Sequence, residues 1–93
     1  MNSVEEILES MGMILEENEG SSDWSKRLKN LARNKTLHKD DYHYAVKRLY
    51  GGMGSLNDVV VMDGRGGYPR EANQKFDSLR DDLKVALENF LKE

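Results

Sequence analysis

The sequence predicts an all-α fold, a small bundle of four longer helices with one short connecting helix. Apolar residues recur three and four positions apart over most of the chain, which is the spacing of one helix face. Glycine and helix-capping residues separate these stretches. One run of valines favours a strand, but it has no second strand to pair with. The longer helices are predicted at about 4–18, 23–34, 39–50 and 69–91, and the short helix near 55–61.

Length and composition indicate a single domain, so we expect residues 1–93 to share one core. Cysteine is absent, which excludes disulfides and thiolate metal sites. No basic start followed by an apolar run marks a signal peptide, and the longest apolar run, 59–62, is too short to cross a bilayer. We therefore expect a cytoplasmic protein that makes no use of a membrane.

The first helix has the clearest beginning and end. Ser3 and Glu6 have the spacing of a capping box, and Gly20 is a typical helix stop. Gly12 lowers helix propensity by about 1 kcal/mol relative to alanine, and it allows a neighbouring helix to approach closely. The apolar residues of one face are Val4, Ile7, Leu8, Met11, Ile14 and Leu15.

The second and third helices carry narrower apolar stripes. Capping residues at 21–23 precede the second helix, and Trp24 at its start is predicted to anchor the core. The stripe of the third helix ends at Tyr50, and Gly51 then suits the left-handed conformation that ends many helices. The two stripes are Leu28, Leu31 and Ala32, and Tyr42, Ala45, Val46, Leu49 and Tyr50.

The last helix has the strongest periodicity in the chain, and Pro69 suits its first position. At 1.5 Å per residue it would be about 35 Å long, so the other helices must pack on it. Ser55 can cap the short helix that precedes the last helix. The stripe of the last helix is Ala72, Phe76, Leu79, Leu83, Ala86, Leu87, Phe90 and Leu91.

Charge is divided unevenly, although the whole chain carries only −3. Residues 1–23 contain seven acids and no base, and residues 24–50 contain eight bases and two acids. Either the two segments pack on each other, or one of them is a surface for a partner. The candidate residues for binding a protein are Glu5, Glu9, Glu16 and Glu17. The alternative is a nucleic-acid surface made by Lys26, Arg27, Lys29 and Arg33.

The sequence contains no recognisable catalytic constellation. His38 and His43 would point about 140° apart on a helix, so we expect no metal site. The glycines after Tyr50 follow a helix instead of a strand, and their spacing departs from that of a dinucleotide-binding loop. We therefore expect neither an enzyme nor a cofactor. The turn is predicted to be structural, and its residues are Gly51, Gly52, Gly54, Ser55, Asn57 and Asp58.

Residues 49–60, Leu-Tyr-Gly-Gly-Met-Gly-Ser-Leu-Asn-Asp-Val-Val, resemble the signature of a family of short bacterial domains of unknown function. That signature is Gly-Gly-Met-Gly-Ser, an aromatic residue or leucine, Asn-Asp and an apolar pair. Leu56 stands where an aromatic residue is often found. The resemblance implies a small helical bacterial protein, and it supplies no catalytic residue.

In size, acidity, helix content and lack of cysteine, the chain is also similar to immunity proteins of bacterial toxin systems. This similarity is an analogy without a shared motif. Nuclease toxins present basic clefts, and an acidic helical surface can block such a cleft with fast association. We therefore expect a non-enzymatic domain that binds another protein, with a cognate toxin as the candidate partner.

Overall fold

The computed structural model describes residues 3–20, 22–34, 39–50, 55–56 and 59–92, without the side chains of residues 39 and 90–92. Its helices are α1 (Val4–Glu19), α2 (Asp23–Ala32), α3 (Lys39–Lys47) and α4 (Arg70–Lys92). A 3-10 turn, Arg48–Tyr50, continues α3. The described part of the chain contains no strand, so the all-α prediction is confirmed. The helix bounds lie within two residues of the predicted ones, with the 3-10 turn counted as the end of the third helix.

The N-terminal caps of α1 and α2 use serine hydroxyls. Ser3 Oγ accepts a hydrogen bond from the Glu6 backbone N–H at 3.2 Å, and it donates one to the Glu6 carboxylate at 3.1 Å. Glu6 therefore completes the cap through the hydroxyl and not through the backbone of Ser3. Ser22 and Ser25 form the reciprocal capping box at the start of α2. Gly20 ends α1 with a φ of 81°, which a residue with a side chain rarely adopts.

Helices α1 and α2 approach each other closely at Gly12, which is buried. A Cβ atom added there would lie 2.8 Å from Cγ of Lys29 and 3.2 Å from the backbone oxygen of Ser25. Both distances are shorter than ordinary van der Waals contacts between such atoms. The predicted role of Gly12 in allowing close approach is therefore confirmed.

Helix α4 packs against α1 and α3 as predicted, whereas α2 packs mainly on α1. Phe76 is the largest of the fully buried side chains. Trp24 is partly buried and packs on the same core, which confirms its predicted place. The other fully buried apolar side chains are Ile7, Leu8, Met11, Leu15, Leu28, Val46, Leu56, Val61 and Leu83.

The segment between the 3-10 turn and α4, called the connector here, differs from the prediction. Leu56 lies in a 3-10 turn, but the backbone at 59–63 is neither helix nor strand, so the short helix near 55–61 is not continued there. Ser55 and Leu56 are buried. The other residues of the predicted structural turn lie outside the described residues, and they are Gly51, Gly52, Gly54, Asn57 and Asp58.

Two polar side chains of α4 hold the connector in place and explain why it needs no helical hydrogen bonds. Asn73 Oδ1 accepts from the Val61 backbone N–H at 2.8 Å, and Asn73 Nδ2 donates to the Val61 oxygen at 2.9 Å. Arg80 Nη1 donates to the backbone oxygens of Leu56 at 2.7 Å and Val59 at 3.1 Å. Side chains thus satisfy backbone groups that a helix or a sheet would otherwise pair.

Two tyrosines of the core are held in their neutral form. Burial raises the pKa of Tyr42 to about 12, and the charge of Glu5 adds to this effect. Burial likewise raises the pKa of Tyr50, whose hydroxyl donates to the Arg80 backbone oxygen at 3.1 Å. Ionising either hydroxyl would place a charge in a poorly solvated site.

We expect the protein to lose stability as the pH rises from about 10 to about 12. The pKa of Tyr42 is raised in the folded state, so the unfolded chain releases its proton first. The stabilisation is therefore complete below pH 10, the ordinary pKa, and it is lost as the pH approaches 12. Urea unfolding across this range would measure the loss. The Tyr42→Phe variant has no hydroxyl proton, so its free energy of unfolding should fall less steeply with pH than that of the wild type. An equal slope in the two proteins would contradict this explanation.

Candidate functional site

The four glutamates predicted to form one contact face make different contacts in the fold. The Glu9 carboxylate accepts hydrogen bonds from Arg33 Nη2 at 2.6 Å and Nε at 3.2 Å, and Glu16 forms an ion pair with Lys29. These two glutamates therefore reach α2, while the Glu9 side chain stays 30% exposed and that of Glu16 47% exposed. Glu17 lines a groove on the α4 side, because it is turned about 100° from Glu16 around the helix axis.

The ion pairs also join the two surfaces that the sequence kept as alternatives. Lys29 and Arg33 were candidates for contacting nucleic acid, and in the fold their charges are directed at α1. The hydrogen bond and charge of Glu9 hold the pKa of the Arg33 guanidinium above its ordinary value. At these two positions, the acidic segment packs on the basic one.

The remaining candidates of the two sets are placed separately. Glu5 is partly exposed, near enough to Tyr42 for its charge to act on that hydroxyl. Lys26 is exposed on α2. The Arg27 guanidinium lies over the Trp24 ring, 4.3 Å from its centroid. Two members of each set therefore pair across α1 and α2, and the others make no contact with the opposite set in the ion pairs of the described residues.

An open groove of about 580 Å³ runs between α1 and α4 and is called the α1–α4 groove. Met13, Ile14 and Leu79 provide its apolar surface, while Glu17 and Lys75 contribute opposite charges. An apolar centre with a polar rim is the usual anatomy of a protein-binding surface. The lining residues are Ser10, Met13, Ile14, Glu17, Gln74, Lys75, Ser78 and Leu79.

Met13 is the residue of this region that the sequence interpretation missed. Its side chain is 46% exposed, whereas the apolar stripe of α1 faces the core. Three of its four neighbours on the helix surface are acidic, because Glu9, Glu16 and Glu17 stand four residues before and three and four after it. We call these four residues the outer surface of α1. The signal was present, since Met13 is apolar and falls outside the periodic stripe.

Metal binding and membrane insertion have little support in the described ranges. No three histidine, aspartate or glutamate side chains come together there as ligands for a metal ion. His43 lies on α3, and His38 is outside the described residues. None of the described helices combines the length and the apolar character needed to cross a bilayer.

A family model matches part of this chain. The model of a domain of unknown function, DUF6966, matches residues 17–69, which is more than half of the 93 residues. The match runs from the last turn of α1 to the residue before α4, and it includes the stretch 49–60. No curated protein and no solved structure matches the chain.

Proposed function

The chain belongs to the DUF6966 family of domains of unknown function, and we propose that it is a non-enzymatic domain that binds another protein. The outer surface of α1 is the proposed contact. The observation that supports it is the exposed Met13, an apolar side chain enclosed by glutamates beside the α1–α4 groove. Isolated exposed apolar residues are common, but one next to an apolar groove offers a continuous area for burial.

The charge of α1 indicates the chemistry of the partner. The helix carries six glutamates and no basic residue, and Lys29 and Arg33 of α2 compensate two of them. The surface is therefore acidic and suits a basic partner protein. Long-range attraction would accelerate association, while Met13 and Ile14 would slow dissociation by burying apolar area.

In its specific form, the proposal is a bacterial immunity protein that acts in the cytoplasm by occluding the basic cleft of a cognate toxin. The resemblance of residues 49–60 to a bacterial signature supports a bacterial source. Size, charge and helical content support the class of immunity proteins. Binding to nucleic acid through Lys26, Arg27, Lys29 and Arg33 has less support, because two of these four residues pair with α1.

The test is a pull-down that identifies the partner protein, followed by surface plasmon resonance with that partner at several salt concentrations. Glu17→Lys should weaken binding about tenfold or more, mainly through a lower association rate, and should flatten the salt dependence. Glu17 is the better choice than Glu9 or Glu16, because reversing their charge would also break ion pairs with α2.

The matched control is Glu88→Lys, which makes the same charge change at an exposed position of α4 outside the α1–α4 groove. Its affinity should stay within about threefold of the wild type, since a remote charge acts only through the net field. Equal losses in the two variants would remove the outer surface of α1 as the contact.

A further inference from the structure

A second cleft, of about 470 Å³, lies between α2 and α3 and brings two arginines together. Arg27 and Arg48 come from different helical segments, and Asn30 joins Arg27 on the same face of α2 because it stands three residues later. We call this region the two-arginine cleft. Its lining residues are Arg27, Asn30, Leu31, Asn34, Ala45, Arg48 and Leu49.

An aromatic ring supports each arginine. The Arg27 guanidinium lies 4.3 Å from the Trp24 ring centroid, and that of Arg48 lies 5.9 Å from the Tyr44 ring centroid. A guanidinium close to an aromatic ring is attracted to it, and its N–H donors can still bind an oxyanion with two hydrogen bonds. The rings therefore favour these positions of both guanidinium groups before any ligand arrives.

No ion pair among the described residues compensates the charge of the two-arginine cleft. Lys29 and Arg33 form ion pairs with α1, whereas Arg27 and Arg48 form none with the residues that the structure describes. Two guanidinium groups on one cleft favour an anion with two negative charges. A phosphate monoester carries close to two at neutral pH, and a single carboxylate carries one.

The rest of the cleft suits the organic part of such a ligand. Leu31, Ala45 and Leu49 give an apolar lining, and the volume falls in the range of small-molecule sites. Tyr44 lies outside the lining of the cleft and is 63% exposed beside Arg48. Asn30 adds an amide, a group that can pair with a base edge.

We propose that the two-arginine cleft binds the phosphate of a nucleotide, with Arg27 and Arg48 as the phosphate-binding residues. The nucleotide is either a free mononucleotide or part of a single strand of nucleic acid. This site is independent of the outer surface of α1. All of its lining residues lie within the segment that defines the family match, 17–69.

The experiment is a titration of the isotopically labelled full chain by NMR, with four probes at low ionic strength. The probes are adenosine 5′-monophosphate, adenosine, a short oligothymidylate and a glutamate-rich peptide. The monophosphate should shift the signals of Arg27, Asn30 and Arg48 in a saturable way. Adenosine should bind about tenfold more weakly or worse, because it lacks the charged hydrogen-bond acceptor.

Arg27→Gln and Arg48→Gln should each weaken binding of the monophosphate about tenfold or more. Lys26→Gln is the matched control, because it removes the same charge from α2 outside the cleft, and it should change affinity by less than about twofold. Unchanged thermal unfolding of each variant would show that the fold is intact. If either arginine variant unfolds, loss of the signal shifts at Arg27 and Arg48 when inorganic phosphate competes with the monophosphate for the wild-type chain tests whether this cleft recognises the phosphate.

The oligothymidylate identifies the source of the phosphate. Binding about tenfold tighter than that of the monophosphate, with the same dependence on both arginines, assigns the site to a nucleic-acid strand, and weaker binding assigns it to a free nucleotide. The proposal is overturned if neither phosphate-bearing probe saturates or if Lys26→Gln loses as much affinity as the arginine variants. Binding of the glutamate-rich peptide without competition from phosphate would also overturn it.

Discussion

Replacing Asn73 by alanine is expected to lower the free energy of unfolding by about 3 kcal/mol, a large part of the stability of a domain of this size. The amide of Asn73 accepts from the Val61 N–H and donates to the Val61 and Pro69 oxygens, at distances between 2.8 and 2.9 Å. Val61 is completely buried, so water cannot replace these hydrogen bonds without moving the connector. Each buried backbone group left without a partner costs about 1–3 kcal/mol.

Urea unfolding followed by circular dichroism would measure the effect of Asn73→Ala. Gln74→Ala is the control, because Gln74 is the next residue of α4 and is exposed, and its effect should stay within about 0.5 kcal/mol. Asn73→Asp keeps an acceptor for Val61 but no donor for the two oxygens, so it should also destabilise the fold. A loss below about 1 kcal/mol for Asn73→Ala would mean that the connector does not depend on this side chain.

Gly12→Val is expected to lower the free energy of unfolding by about 2–3 kcal/mol. The new Cβ atom would lie 2.8 Å from Cγ of Lys29 and 3.2 Å from the Ser25 backbone oxygen, and the second atom belongs to a helix backbone that cannot move alone. The two helices must therefore separate, which also loosens the packing of Leu8 and Leu28 in the core. The gain in helix propensity from removing glycine is smaller than this loss.

Gly64→Val is the matched control for Gly12→Val. No atom lies within 4 Å of a Cβ added at Gly64, and its φ is outside the left-handed region. Its unfolding free energy should change by less than about 0.5 kcal/mol in the same denaturant titration. Similar losses in the two variants would show that the crossing of α1 and α2 tolerates a side chain at Gly12.

The helices were predictable because their causes are local. A serine hydroxyl at Ser3, a glycine at Gly20 and a proline at Pro69 act within one turn of their own positions. The apolar periodicity then assigns the buried face of each helix, and residues such as Leu8, Phe76 and Leu83 are buried as that pattern requires.

The candidate sites were only partly predictable. The imbalance of charge between the first two segments correctly suggested that they could pair, but it could not say which of the four glutamates would do so. Glu9 and Glu16 form ion pairs because α2 lies next to them, whereas Glu17 lines the α1–α4 groove. The position of α2 depends on its close approach to α1 at Gly12. The two-arginine cleft joins residues from two helices, so no spacing along the chain predicts it.

The sequence alone determined the helices, their ends and their buried faces, because each depends on residues a few positions apart. The tertiary structure decided which charges are compensated, which apolar side chain stays exposed, and how the connector is held. Val59 and Val61 gave no helix because Arg80 and Asn73 supply hydrogen bonds to the connector from more than ten residues away. Hydrogen bonds across such a separation exist only once the helices have packed.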